Sequence, residues 1–260
     1  MTLFDDLGSD VPVRGVPKRV VSLVPALTEA VEATVSGRLV GATDYCTRPS
    51  TLEVVRVGGS KYPKVDRVLG LGPDLVLANS EENRSEDVER LRANGIPVWV
   101  MKAPATVPLA LASLRRLLTQ AFGVYAPRWL VAAEEMWREV APVRARAVVP
   151  VWRKPWVILG RDTFGGDVLH RLGVSVVYGD HPERYPRPKL DELRSWFADG
   201  GADLLVLPDE PYQFTDRDGP DVFPGVRYVL VSGRYLTWYG PSLLAAHPEL
   251  SAALGPVVEQ

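Results

Sequence analysis

The chain has 260 residues, 46% hydrophobic and 24% charged, the balance of an ordinary globular protein long enough for two modest domains. Its net charge of −2 offers no basic excess to attract nucleic acid. No apolar run reaches the roughly 20 residues needed to cross a bilayer, and Cys46, the only cysteine, excludes an intrachain disulfide.

Residues up to about 18 read as an extended entry segment with turns at Gly8 and Gly15. A strand follows from Arg19 to Val24, then a helix from Pro25 to Ser36 that Gly37 is placed to end. A second strand at Val40 leads into the loop Thr43–Pro49, and Gly58–Pro63 forms another loop before a short helix, Val65–Leu71. The strand Asp74–Ala78 runs into Asn79–Arg84, Ser85 caps a helix that closes at Asn94-Gly95, and Pro97–Met101 is the last strand of this half. Residues 107–122 form one helix.

From Pro127 the side chains of Trp129, Ala133, Met136, Trp137 and Val140 share one helical face. A helix from Pro127 to about Arg146 would be roughly 30 Å long at 1.5 Å per residue, enough to join two lobes rigidly, although Pro142 argues for a kink or an early end. The second half repeats the grammar. A strand at Pro155–Gly160, a helix at Asp167–Leu172 and a strand at Val174 are followed by a helix at Asp191–Ala198, strands at Asp203–Leu207 and Tyr228–Val231, and a closing helix. Short β-branched runs alternating with helices predict buried parallel strands. The expected architecture is α/β: two Rossmann-like lobes with parallel sheets, residues 1–106 and 147–260, joined by a helical segment over 107–146 that includes a long rigid interlobe helix. A cleft between such lobes is the expected ligand site.

The loops that follow strand ends are both aromatic and polar, and ligands of open α/β sheets bind outside the carboxyl ends of strands. Tyr45, Tyr62, Phe164, Tyr185, Tyr212, Phe214, Trp238 and Tyr239 could wall a large flat ligand. The competing reading of each is a core or loop anchor, and Trp152 and Trp156, which flank a strand, fit that reading best. Glu81, Glu82 and Asn83 follow a strand directly and could hydrogen-bond a ligand's amides, or simply form a solvated loop before a helix. Lys61, Arg161 and Arg234 could meet a phosphate or carboxylate.

Enzyme signatures are missing. His170, His181 and His247 have no partners at metal-ligand spacing, and there is no nucleophile elbow, phosphate-binding loop or dinucleotide fingerprint. Gly165-Gly166 at a helix start is poor support for an anion site. Cys46 without a partner reads as a small buried apolar residue. The expectation is therefore no catalytic residue, no resident metal and no catalytic cofactor. Met1–Gly8 has neither a basic nor an apolar stretch of the signal-peptide type, so the chain as written is expected in the cytoplasm.

Arg19-Val-Val-Ser-Leu-Val-Pro-Ala-Leu-Thr-Glu resembles the opening of the cobalamin- and siderophore-type substrate-binding proteins of ABC transporters, those with a helical backbone between lobes. The segments Asp44–Pro49, Arg56–Gly59, Val65–Ala78, Trp152–Trp156, Tyr185–Arg187 and Leu236–Pro241 extend the similarity along nearly the whole chain. The resemblance implies non-enzymatic capture of a metal chelate, typically cobalamin, between the lobes, an extracytoplasmic location and docking on an ABC permease. It places Tyr45 at the family's cleft tyrosine and Ala26, with Pro25, where the first strand end meets ligand. It also places Asp66 at the docking carboxylate of the first lobe and Asp191 or Glu192 at that of the second. The expected ligand set is Ala26, Tyr45, Lys61, Tyr62, Glu81, Asn83, Arg161, Phe164, Tyr185, Phe214, Trp238 and Tyr239, in a monomer. The alternatives are a cytoplasmic enzyme or chaperone of corrinoid or tetrapyrrole metabolism, and a binder of haem or a ferric siderophore.

Overall fold

The computed structural model describes residues 2–258. The chain divides into two compact units: one holds the chain up to Ala103 together with Ala110–Ala132, the other holds Pro104–Leu109 and the chain from Ala133 onward.

The first unit opens with an antiparallel hairpin, β1 (Thr2–Phe4) and β2 (Asp10–Pro12). Asp5 ties the hairpin turn together by accepting from Leu7 and Ser9 N–H and pairing with Arg92 at 2.8 Å. Five parallel strands follow: β3 (Val20–Ser22), β4 (Leu39–Ala42), β5 (Val55–Arg56), β6 (Leu75–Asn79) and β7 (Val98–Met101), in the order β5-β4-β3-β6-β7. Every residue of β3, β6 and β7 is buried, which is why these strands read as unbroken apolar runs. Helices α1 (Pro25–Thr34), α2 (Val65–Gly70) and α3 (Ser85–Ala93) make the crossovers, and Val21, Val68, Val76, Val88, Leu91 and Val98 pack into the core they enclose. Pro25 sits in the first turn of α1, where its missing N–H costs nothing. The strand order reverses between β3 and β6, so the crevice of this sheet opens where those two strands end.

Two helices straddle the division, α4 (Val107–Phe122) between Leu109 and Ala110, and α5 (Arg128–Met136) between Ala132 and Ala133. Here the structure departs from the expectation of one helix to about Arg146. Helix α5 ends at Met136, ahead of Pro142, and just past its end the Arg171 guanidinium donates to Trp137 O at 2.6 Å. The chain then runs irregularly, with Ala141 N–H bonded to Arg171 O and Arg144 N–H to Gly173 O. Trp129, early in α5, donates its indole N–H to Thr34 at 2.9 Å, and Trp137 donates to Leu243 O at 2.9 Å.

The second unit holds a four-stranded parallel sheet, β8 (Ala145–Val148), β11 (Val174–Val176), β12 (Leu204–Pro208) and β13 (Tyr228–Val231), in the order β11-β8-β12-β13. Its central strand, β8, lies partly in the stretch expected to be helical. The Trp-rich segment expected as a sheet strand is instead an antiparallel hairpin, β9 (Pro150–Arg153) with β10 (Trp156–Ile158). Helices α6 (Phe164–Arg171), α7 (Leu190–Ala198), α8 (Arg234–Thr237) and α9 (Leu243–Val258) complete the unit. Ile158, Leu193, Leu205, Leu207, Phe214 and Phe223 form its core. No helix among the described residues is long and apolar enough to cross a membrane.

Candidate functional site

In the first unit the loops that leave β3, β5 and β6 come together at the crevice. Asn83, buried, joins them: its Oδ1 accepts from Asn79 N–H at 2.8 Å, and its amide donates to Ser60 O at 2.9 Å and to Leu23 O at 3.4 Å. A polar floor lies beside it. Cys46 Sγ sits 3.0 Å from Thr28 Oγ1 and 3.1 Å from Thr43 Oγ1. Burial pushes the Cys46 thiol up, so it is held as an uncharged, hydrogen-bonded core group, not a nucleophile.

Above this floor is an exposed surface. Asp44 N–H bonds Gly58 O at 2.8 Å, which folds the 58–63 loop against the 43–49 loop. Gly58 takes a φ of +91° to make that turn. The Tyr45 ring then lies against Gly59, 3.5 Å from where a Cβ would stand, an ordinary van der Waals contact. Tyr45 and Tyr62 are 66% and 69% exposed, large aromatic areas left to solvent in a folded chain. The Arg84 guanidinium lies 5.0 Å from the Tyr62 ring centroid while bonding both oxygens of Asp87, and Lys61 Nζ reaches Glu81 O at 3.4 Å. Tyr45, Lys61, Tyr62 and Glu81 are thus brought to one strand-end surface. Arg84 joins them and was missed; a cation five residues past the end of β6 is the signal that could have found it. Glu82 is half-buried below, and burial together with the neighbouring charge of Glu81 pushes its carboxyl up to about 8.

Six of the expected ligand residues are buried: Ala26, Asn83, Phe164, Phe214, Trp238 and Tyr239. Phe214 lies in the core of the second unit, stacked on Trp156 at 6.2 Å and tilted against Tyr212 at 4.6 Å. Phe164 and Tyr239 pack edge to face at 5.8 Å, and Gly165 lets α6 approach α8, since a Cβ there would stand 2.8 Å from Leu236 O. Ala26 is sealed in the first turn of α1.

In the second unit, Arg161 is exposed and pairs with Asp162 at 2.9 Å, in a turn where Asp162 has a φ of +52°. Gly160 N–H bonds Arg184 O at 2.8 Å and Arg184 bonds Asp162 O, so the segment carrying half-buried Tyr185 closes over this turn. Gly160, Arg161, Thr163, Asp167 and His170 help line a cavity of about 400 Å³. Asp66 and Asp191 stand exposed in the first turns of α2 and α7. Among the described residues no group of three or more His, Cys, Asp or Glu could hold a metal ion.

The family model for periplasmic binding proteins matches residues 20–199. An uncharacterized ABC transporter substrate-binding lipoprotein of Bacillus subtilis, YvrC, is 37% identical over 101 residues, 38% of this chain and 32% of that protein. A vitamin B12-binding protein of Vibrio parahaemolyticus is 31% identical over 68% of this chain and 66% of its own, and one from Pectobacterium carotovorum is 26% identical over 68% and 67%. The chain therefore spans about a third of the first relative and about two thirds of the others. Among solved structures, the apo haem-binding protein RhuT of Roseiflexus superposes with a TM-score of 0.75 at 19% identity, covering 93% of this chain and 99% of that one. The vitamin B12-binding protein BtuF of Vibrio cholerae gives 0.73 at 18%, covering 94% and 99%, and at such identity both speak for the fold alone. By the match over most of its length, the chain belongs to the periplasmic binding protein family, a family of binding proteins and not of enzymes.

Proposed function

We propose that the protein captures a tetrapyrrole-type metal chelate, a cobalamin-like corrinoid in the first place, and delivers it to an ABC permease from outside the cytoplasmic membrane. The observation that carries this is the exposed pair Tyr45 and Tyr62, flanked by Lys61, Glu81 and Arg84, at the crevice where the strand order of the first sheet reverses. Two large rings give flat apolar contact, and the polar groups around them fix orientation, the composition of a small-molecule site. Support for the corrinoid comes from relatives named vitamin B12-binding proteins that cover 68% of the chain. Haem is the second candidate, on the strength of the haem-binding structural neighbours. The protein works as a monomer in this reading.

The test is an absorbance titration of the purified protein with cobalamin, with haem and with a ferric siderophore. Saturable one-to-one binding of cobalamin is expected. Failure of all three to bind, with the protein folded, overturns the proposal. Size-exclusion chromatography with light scattering checks the monomer.

A further inference from the structure

The cavity of about 400 Å³ lies along the open edge of the second unit's sheet, and every residue that lines it belongs to that unit. Strand β11 forms that edge, and Ser175, Val176 and Val177 line the cavity. Val177 N–H bonds Ala147 O at 2.9 Å, in register with β8, so the alternation along the parallel ladder turns the Val176 N–H outward, away from β8. An outward main-chain donor on an edge strand is an opening for one more extended segment. Two glycines leave room for it. A Cβ on Gly166 would stand 3.7 Å from Val176 Cγ2 and one on Gly179 3.6 Å from it, so at both positions the absent side chain leaves Val176 uncovered.

The charged groups around the cavity are not equally engaged. Arg161 is taken by Asp162 at 2.9 Å, and Asp167 by Arg171 and by Val107 N–H, both at 2.8 Å. Arg146 lies opposite Ser175 in the register of β8 and β11, with its guanidinium 5.6 Å from the Trp196 ring centroid. No described residue gives that guanidinium a hydrogen bond or an ion pair. Asp180, past the far end of β11, is exposed, and its carboxylate likewise has no bonded partner among the described residues. One unengaged cation and one unengaged acid thus remain, toward opposite ends of the edge strand. That arrangement suits a zwitterion longer than an α-amino acid, with its carboxylate in the guanidinium fork.

We propose that this cavity binds a short peptide with free termini, of dipeptide size, laid antiparallel along β11. Its terminal carboxylate meets Arg146, its terminal ammonium meets Asp180, and a main-chain carbonyl accepts from Val176 N–H. The site belongs to the second unit alone and does not depend on chelate capture.

The experiment titrates alanylalanine calorimetrically into the full chain, beside its N-acetyl form and its C-terminal amide. Saturable one-to-one binding of the free dipeptide is expected, with each capped form weaker by roughly tenfold or more. Arg146→Gln is expected to weaken the free dipeptide by a similar factor and to leave the amide, which has no carboxylate to lose, within about twofold. Asp180→Asn is expected to weaken the free dipeptide likewise and to leave the N-acetyl form within about twofold. Equal losses for all three compounds, no loss in either variant, or no saturable binding of alanylalanine to the folded wild type at millimolar concentration overturns the proposal. If Arg146→Gln does not fold, the Asp180→Asn comparison decides on the same criterion.

Discussion

The Tyr178 hydroxyl donates to Glu192 Oε1 at 2.8 Å. That bond separates two acids that the sequence leaves equivalent. Glu192 is engaged within its own unit, and burial, with the Glu192 contact second, raises the Tyr178 hydroxyl above its ordinary range. Asp191, one residue earlier in α7, is 97% exposed and only 3.9 Å from its nearest cation, Arg194. Asp66 in α2 is 82% exposed and pairs with Arg90, itself half-exposed. Exposed carboxylates that no buried group engages steer a partner's arginines, whereas Glu192, though also exposed, is held by the hydroxyl of buried Tyr178. We therefore expect Asp66→Ala with Asp191→Ala to abolish stimulation of a reconstituted ABC transporter's ATPase without moving the melting temperature. Glu192→Ala should instead cost about 1–2 kcal/mol of stability, the scale of a hydrogen bond to a charged group, read by denaturant unfolding. A normal ATPase response in the double variant removes these acids from docking.

Tyr45 and Tyr62 carry exposed ring area on loops held by backbone bonds, so neither ring supports the fold. Replacing either by Ala should weaken chelate binding by roughly 1–2 kcal/mol, the scale of a lost aromatic contact at an interface, with a change in melting temperature inside error. Calorimetric titration measures the first and a thermal melt the second. Unchanged affinity in both variants moves the ligand away from this surface.

The strands were legible and the helix end was not, for one physical reason. Leu75–Asn79 and Leu204–Pro208 are buried on both faces, so the apolar run itself marks them. Pro142 hints at an early end of α5, but the helix stops at Met136, and the Arg171 guanidinium that meets the carbonyl just beyond it comes from 34 residues away along the chain. Ala145 and Arg146, the first half of β8, fall within the expected helix because alanine and arginine read as helical until burial picks the strand. The site divides in the same way. A tyrosine after a strand can stand in solvent like Tyr45, and a phenylalanine after a strand can fall into the core like Phe214. The difference lies in which loops pack on one another, through contacts such as Asn83 to Ser60, which are remote in sequence.

Glu82 predicts a pH dependence. Its carboxyl titrates near 4.5 in the ordinary state and is pushed up to about 8 in the fold. Between these values the folded chain holds a proton that the unfolded chain has released. Stability from this group is therefore complete below about pH 4.5 and is lost as pH rises toward about 8. Glu82→Gln keeps the shape and removes the titration, so its stability should decline less than the wild type's across that window. Urea unfolding at intervals between the two pH values makes the comparison. Parallel curves for the two proteins would show that Glu82 is ionised in the fold at neutral pH.

Gly233 predicts a steric limit at the other strand end. A Cβ there would stand 2.1 Å from Glu210 O and 2.7 Å from Glu210 N. Both are backbone atoms, which cannot rotate aside as a side chain can. The Gly233 φ of −62° suits any residue, so the obstacle is contact and not conformation. Gly233→Ala must part the β12 and β13 strand ends, pulling the Gly233 amide from Asp209 and shifting Arg234 between its rings. Overpacking of this kind costs about 1–3 kcal/mol. The lost stability should appear in denaturant unfolding as a lower midpoint. Gly225 gives the control: it lies in open space but has a φ of +77°, so Gly225→Ala should cost about 1 kcal/mol through backbone strain. Full stability in Gly233→Ala would mean that the β12 and β13 ends can separate freely.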